Sequence, residues 1–135
     1  MTVRAGSFDS NGRQTGEVLV DDRVCECCPT AAATTSDGPI IAFRNRTTSE
    51  VRDIFVSRLT NGKWTEPVPV HADNWTINAC PVNGPALSAQ GARVALSWFT
   101  VQQDRGHTYV AFSQDSGRSF GRPIRVPVPR KAGYR

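Results

Sequence analysis

The stretch Ser113-Gln114-Asp115-Ser116-Gly117-Arg118-Ser119-Phe120 decides how the rest of the chain is read. It has the make-up of a tight turn. The Asp carboxylate can accept hydrogen bonds from backbone N–H groups of its own turn, and the Gly two places on can adopt positive φ without a Cβ penalty. The aromatic then closes the hairpin from the side. Set beneath it without gaps, residues 57–64 keep the leading Ser and the closing aromatic, and residues 7–14 keep the Ser, the Asp at the third place and the Ser after it. In the second copy Leu59 replaces the Asp, but Asn61 tolerates the left-handed conformation and Trp64 keeps the packing. The copies begin at residues 7, 57 and 113, spacings of 50 and 56 residues, and three register-matched copies indicate a repeat protein.

Between the copies lie short β-type runs at 39–44, 53–59, 67–71, 93–100, 107–114 and 123–128, rich in Val, Ile, Phe, Tyr or Thr and bounded by Gly, Pro, Asn or Asp. No segment has helical periodicity with caps. Strands of this size at this interval fit four-stranded antiparallel units, the construction of a propeller blade. Two units are complete, at 24–73 and 77–128, and residues 1–22 match only the last hairpin of a preceding one. Residues 129–135 form a basic tail. The innermost strand of each unit is small and apolar, Thr30-Ala31-Ala32-Ala33 and Pro85-Ala86-Leu87-Ser88, as expected where blades converge on a crowded axis.

The pattern Ser-x-Asp-x-Gly-x-x-aromatic resembles the Asp-box of the sialidase (neuraminidase) superfamily. Arg122-Pro123-Ile124-Arg125-Val126 and Glu66-Pro67-Val68-Pro69-Val70 look like the strand that follows the motif there. The resemblance implies an all-β fold, a sialidase-like β-propeller fragment of about two and a half four-stranded antiparallel blades. The remaining blades of a longer parent, or further copies of the chain, would complete the ring, because an open blade edge offers unpaired backbone groups. Ser113, Asp115, Gly117 and Phe120 are then structural, with Asp115 and Asp9 read as turn formers rather than catalytic acids.

The chain has 135 residues, 39% hydrophobic and 21% charged, the balance of a globular domain able to bury one ordinary core. No apolar run approaches the ~20 residues that span a bilayer, so no membrane partner is indicated. The chain carries no signal-peptide layout, while the resemblance implies a parent exported to the periplasm or secreted. The net charge of +4 comes from arginines spread along the sequence, without a basic run, which gives no footprint for nucleic acid and suits a carbohydrate or an anionic small molecule.

A four-stranded meander places its second turn and its crossovers at the end opposite the Asp-containing turns. The segments 21–29, 44–52, 71–83 and 100–106 collect there, with all four cysteines. Arg44, Arg46 and Arg52 are candidates for gripping an anionic ligand, since a guanidinium fork can hold a carboxylate with two parallel hydrogen bonds. Solvated charges pairing with one another are the alternative. Asp53 and Glu50 are the acid or base candidates. Asn83 is aimed at the same mouth by the rigid turn Cys80-Pro81-Val82-Asn83-Gly84-Pro85, and Trp75 serves either as a sugar-stacking platform or as inter-blade packing. Sialidases use a tyrosine nucleophile helped by an acid, but Tyr109 sits mid-strand and Tyr134 in the tail, so the chain alone lacks a catalytic set.

Cys25-Glu26-Cys27-Cys28 and Cys80 occupy equivalent crossovers. Adjacent cysteines do not readily bridge each other, so disulfides between the two crossovers are one reading, with Cys28 and Cys80 able to face one another. The other is a site for a soft ion, Cu(I) or Zn(II), with three thiolates from one loop, a fourth from the next and His71 farther off. No cofactor is required by the fold. The competing functions are therefore a carbohydrate-binding or glycoside-cleaving segment and a non-enzymatic module that binds metal or acts as a scaffold.

Overall fold

The computed structural model describes residues 1–127, so Val128, the 129–135 tail and Tyr134 lie outside the described residues. The described residues are all-β, with three antiparallel sheets and no helix. β1 (Val3–Phe8) and β2 (Gln14–Asp21) form a hairpin. The second sheet runs in chain order through β3 (Ala31–Thr35), β4 (Gly38–Arg44) and β5 (Ile54–Thr60), and β6 (Lys63–Trp64) and β7 (Val68–Pro69) both pair with β5. The third sheet is a meander of β8 (Ala86–Gln90), β9 (Arg93–Gln102), β10 (Arg105–Ser113) and β11 (Ile124–Arg125).

The second sheet has five strands where four are expected, and the last strand of the second and third sheets is shorter than the sequence suggests. The runs at 67–71 and 123–128 shrink to Val68–Pro69 and Ile124–Arg125. Pro67, Pro69, Pro123 and Pro127 supply no N–H to a ladder, which confines these segments to brief edge pairing.

Side-chain alternation along the second sheet stacks it between the other two. Ile40, Ala42, Ile54 and Val56 point one way and pack with Leu96, Trp98 and Ala111 of the third sheet. Phe43, Ile41 and Phe55 point the other way and pack with Val20, Val3 and Ala5 of the first, and with Val24 just beyond it. A period of two along 40–43, apolar on both faces, is what a sheet covered on both sides requires. The second and third sheets approach most closely along their first strands, β3 and β8. The alanines of β3 permit that approach.

At one end the turns lock together. Ser36 N donates to Gly91 O at 2.9 Å, and Ser116 N to Ala92 O at 2.8 Å. Asp115 Oδ1 accepts from Ser119 N at 2.9 Å and Ser113 Oγ at 2.7 Å. Asp9 does the same in its own turn, accepting from Asn11 N and Arg13 N at 2.9 Å each. Phe120 packs on the core between the second and third sheets. Ser119 Oγ also donates to Asp115 Oδ2 at 2.5 Å, and this bond first, with those from Ser119 N and Ser113 Oγ, favours the charged carboxylate and lowers the Asp115 pKa to about 2.

Gly117 has φ of +83°, and a Cβ there would sit 2.3 Å from Ile40 Cδ1, whereas Gly12 has φ of +76° with open space around it. Gly117→Ala should therefore lower unfolding free energy by about 2–3 kcal/mol and Gly12→Ala by only ~1 kcal/mol, measured by urea denaturation. A depressed folded pKa gives stability that is present above the ordinary value of 3.8 and lost as pH falls toward 2. The acid limb of a stability–pH curve should accordingly flatten between these pH values in Asp115→Asn.

Candidate functional site

The crossover end is joined across chain connections by backbone hydrogen bonds. Cys25 N donates to Arg44 O at 2.9 Å, Arg52 N to Trp75 O at 2.8 Å and Ile77 N to Glu50 O at 3.1 Å. Gly84 packs so tightly on the first cysteine loop that a Cβ would lie 2.1 Å from Pro29 O. These contacts bring the Cys25–Cys28 loop, the 45–53 loop and the 70–85 crossover to one place.

Arg44 ends β4 and is 1% exposed. Its Nε donates to Asn83 O at 2.8 Å, and its two terminal nitrogens to Arg52 O at 2.6 Å and Phe99 O at 2.7 Å. The guanidinium carbon lies 5.0 Å from the Trp75 ring centroid, a cation–π distance. Burial pushes the Arg44 pKa down, while Cys28, Cys25 and Asp53 nearby support the charge. Trp75 is itself buried, edge-on to Phe99, so both of its contacts are internal.

Asp53 is buried and accepts from Asn74 N at 2.9 Å and Trp75 N at 3.1 Å. Burial raises its pKa against those two bonds. Glu50, at φ of +64°, is the hub of the outer ion pairs. It meets Arg52 at 2.7 Å, Arg46 at 3.0 Å and Arg23 at 3.7 Å. Hydrogen bonds from Arg46 and then Arg52 outweigh partial burial and hold its pKa low. Both carboxylates singled out for acid–base work are thus committed to internal partners. Asn83, exposed, donates from its side chain to Pro81 O at 2.8 Å.

All four cysteines meet here. Cys27 and Cys80 form a disulfide, with Cα atoms 6.1 Å apart and within the span such a bond accepts. The pairing uses Cys27 rather than Cys28 because Cys28 turns toward Cys25, the two sulfurs lying 3.0 Å apart. Cys25 Sγ also lies 3.8 Å from Cys27 Sγ and accepts from Arg52 Nη1 at 3.3 Å. The ligand atoms of Cys25, Cys27 and Cys28 all fall within 4.8 Å of one another, a group that could hold a metal ion. Burial works against ionising Cys25, but hydrogen bonds from Cys28, the Cys27 backbone and Arg52, with the Arg52 charge, prevail and lower its pKa. Burial and the neighbouring Cys25 raise that of Cys28. Of the two thiols, Cys25 is thus the one that loses its proton more readily.

Two further groups stand out. Asp73, buried, accepts from Trp98 Nε1 at 2.6 Å and pairs with His71 Nδ1 at 2.8 Å. Asp73 carries no motif, and only the Asp-x-Trp step from Asp73 to Trp75 in a crossover hinted at it. His71 is held by Asp73 and is not grouped with the cysteines. Tyr109 packs on the core, with its hydroxyl donating to Gln102 Oε1 at 3.1 Å.

No family model, curated protein or solved structure matches this chain.

The two kinds of arginine should separate cleanly. Arg44→Leu leaves three carbonyls without their donor and should cost about 3 kcal/mol or more in urea unfolding. Arg46→Gln breaks half-exposed pairs and should cost less than ~1 kcal/mol.

Proposed function

We propose that this chain is a section of a sialidase-like β-propeller, about two and a half blades, whose functional centre is a thiolate site for a soft metal ion, Cu(I) before Zn(II). Three features support the propeller part. The units are successive meanders with their first strands converging. The Asp-containing turns fall at one end and the crossover loops at the other. The lone β1–β2 hairpin leaves Phe8, Val18 and Leu19 exposed, as a blade short of its inner strands would.

The observation that carries the metal part is the convergence of Cys25, Cys27 and Cys28 beside a buried guanidinium that hydrogen-bonds no carboxylate. A buried cation calls for a nearby anion, and Asp53 is shared with two backbone amides. A metal–thiolate unit supplies that negative charge. Zn–S bonds of about 2.3 Å place tetrahedral sulfurs ~3.8 Å apart. The free pair, Cys25 and Cys28, lies 3.0 Å apart and must widen on loading. With the Cys27–Cys80 bond in place only Cys25 and Cys28 are free, which favours Cu(I), the softer ion, over a four-thiolate zinc site.

A carbohydrate reading survives through the motif resemblance and through Arg46 and Asn83, the site groups with solvent-facing surface. In that reading the parent's funnel binds or cleaves an anionic glycan. It predicts turnover of a fluorogenic sialoside by the parent, lost in Arg46→Ala.

Anaerobic titration of the chain with Cu(I) against a colorimetric chelator tests the metal reading. One equivalent should bind, with ultraviolet thiolate-to-copper absorption, and Cys25→Ser together with Cys28→Ser should abolish it. Binding that survives this double substitution would remove the assignment.

A further inference from the structure

The disulfide has an exposed side. Cys80 is solvent-exposed and lines a cavity of about 200 Å³ together with Arg46, Arg52, Glu26, Asn78 and Ala79. Two guanidinium groups there face one lining carboxylate. Glu26 pairs with Arg46 at 3.2 Å, and Glu50, behind the lining, pairs with Arg46 at 3.0 Å and Arg52 at 2.7 Å. Arg52 is 4% exposed, and its Nε has no hydrogen-bond partner among the described residues. An exposed disulfide is the kind that exchanges, and here an exposed sulfur sits in a recess lined by two guanidinium groups, one of them with surface open to solvent.

We propose that this cavity receives a small acidic thiol, which exchanges with the Cys27–Cys80 disulfide. The incoming thiolate attacks Cys80 Sγ, forming a mixed disulfide there, while the Cys27–Cys80 bond breaks and Cys27 leaves as a thiolate that takes a proton from water. A second acidic thiol attacks the mixed disulfide at its own kind of sulfur, releasing Cys80 as a thiol. The protein disulfide has gained two electrons, and two small thiols have become one small disulfide.

The inference rests on the thiolate-site reading for its consequence. Exchange frees Cys27, whose sulfur lies 3.8 Å from that of Cys25, and so raises the number of sulfurs the site can offer from the pair Cys25 and Cys28 to all four. Bound and reduced states then differ in ligand count.

The test uses the air-oxidised 135-residue chain with reduced glutathione as the acidic thiol, 2-mercaptoethanol as the neutral one and cysteamine as the cationic one. All three are compared at equal thiolate concentration. Peptide mass spectrometry follows the site of the mixed disulfide and the loss of the Cys27–Cys80 bond. Glutathione should react about tenfold faster than cysteamine at low salt, with the mixed disulfide on Cys80, and the difference should shrink at high salt. Arg46→Gln should bring the rates toward parity, and the salt dependence of the unaltered chain gives the same information if that variant folds poorly. Equal rates for glutathione and cysteamine, a mixed disulfide on Cys27, or no Cys27–Cys80 bond in the oxidised chain would each overturn the proposal. Selective exchange in a chain that binds no Cu(I) would support the cavity and count against the metal reading alone.

Discussion

The burial of one guanidinium governs the whole crossover end. Arg44 could have turned outward at the end of β4, where a cation is cheaply hydrated. Instead it lies inside and donates to the carbonyls of Arg52, Asn83 and Phe99, which belong to different segments of the chain. Irregular segments leave carbonyls that no ladder satisfies, and a planar fork of five donors can reach several at once. The desolvation penalty is offset by these bonds, by the Trp75 face and by the anionic groups around it. This centre adds to the backbone hydrogen bonds and the Asp53 contacts that already hold the 45–53 loop against the 70–85 crossover.

The cysteine arrangement follows from that centre. Asn83 is fixed by Arg44, Gly84 is fitted against Pro29, and Cys80 is thereby carried to Cys27. Arg52 is drawn in by its own backbone contacts and lays its side chain between Cys25 and Glu50. Sulfur chemistry and arginine burial are two aspects of one packing problem. The opposite end has no such problem, because its tight turns satisfy themselves through Asp115, Asp9 and the Ser116 amide.

Strand positions and the grouping of loops were legible in the sequence, since period-two alternation in 40–43 and the Gly and Asn turn residues act locally. The left-handed φ of Asn61, +52°, is the kind of detail a single residue type announces. The fate of Arg44, Arg52, Asp53 and Trp75 was not legible. A charged residue at a strand end reads the same whether it faces ligand or core, and only the three-dimensional supply of unpaired carbonyls and amides decides. The choice of Cys27 over Cys28 for the disulfide was equally hidden, because one residue of offset in a loop reverses which thiol points across. Asp73 escaped for a related reason: its partners Trp98 and His71 are 25 and two positions away and belong to no shared pattern.

The same geometry bears on which ligand the end of the molecule suits. A sugar acid needs guanidinium donors that are free, and Arg44 has its donors committed to carbonyls while Arg52 is engaged with Glu50 and Cys25. A committed guanidinium still projects its charge, and that field falls on the nearest polarisable groups, the sulfurs of Cys25 and Cys28. Positive charge that cannot make contacts but can stabilise a neighbouring anion favours chemistry at those sulfurs over chemistry at a bound carboxylate. Arg46, half-exposed and held only by surface pairs, is the one guanidinium of the three named candidates left to meet an anion arriving from outside.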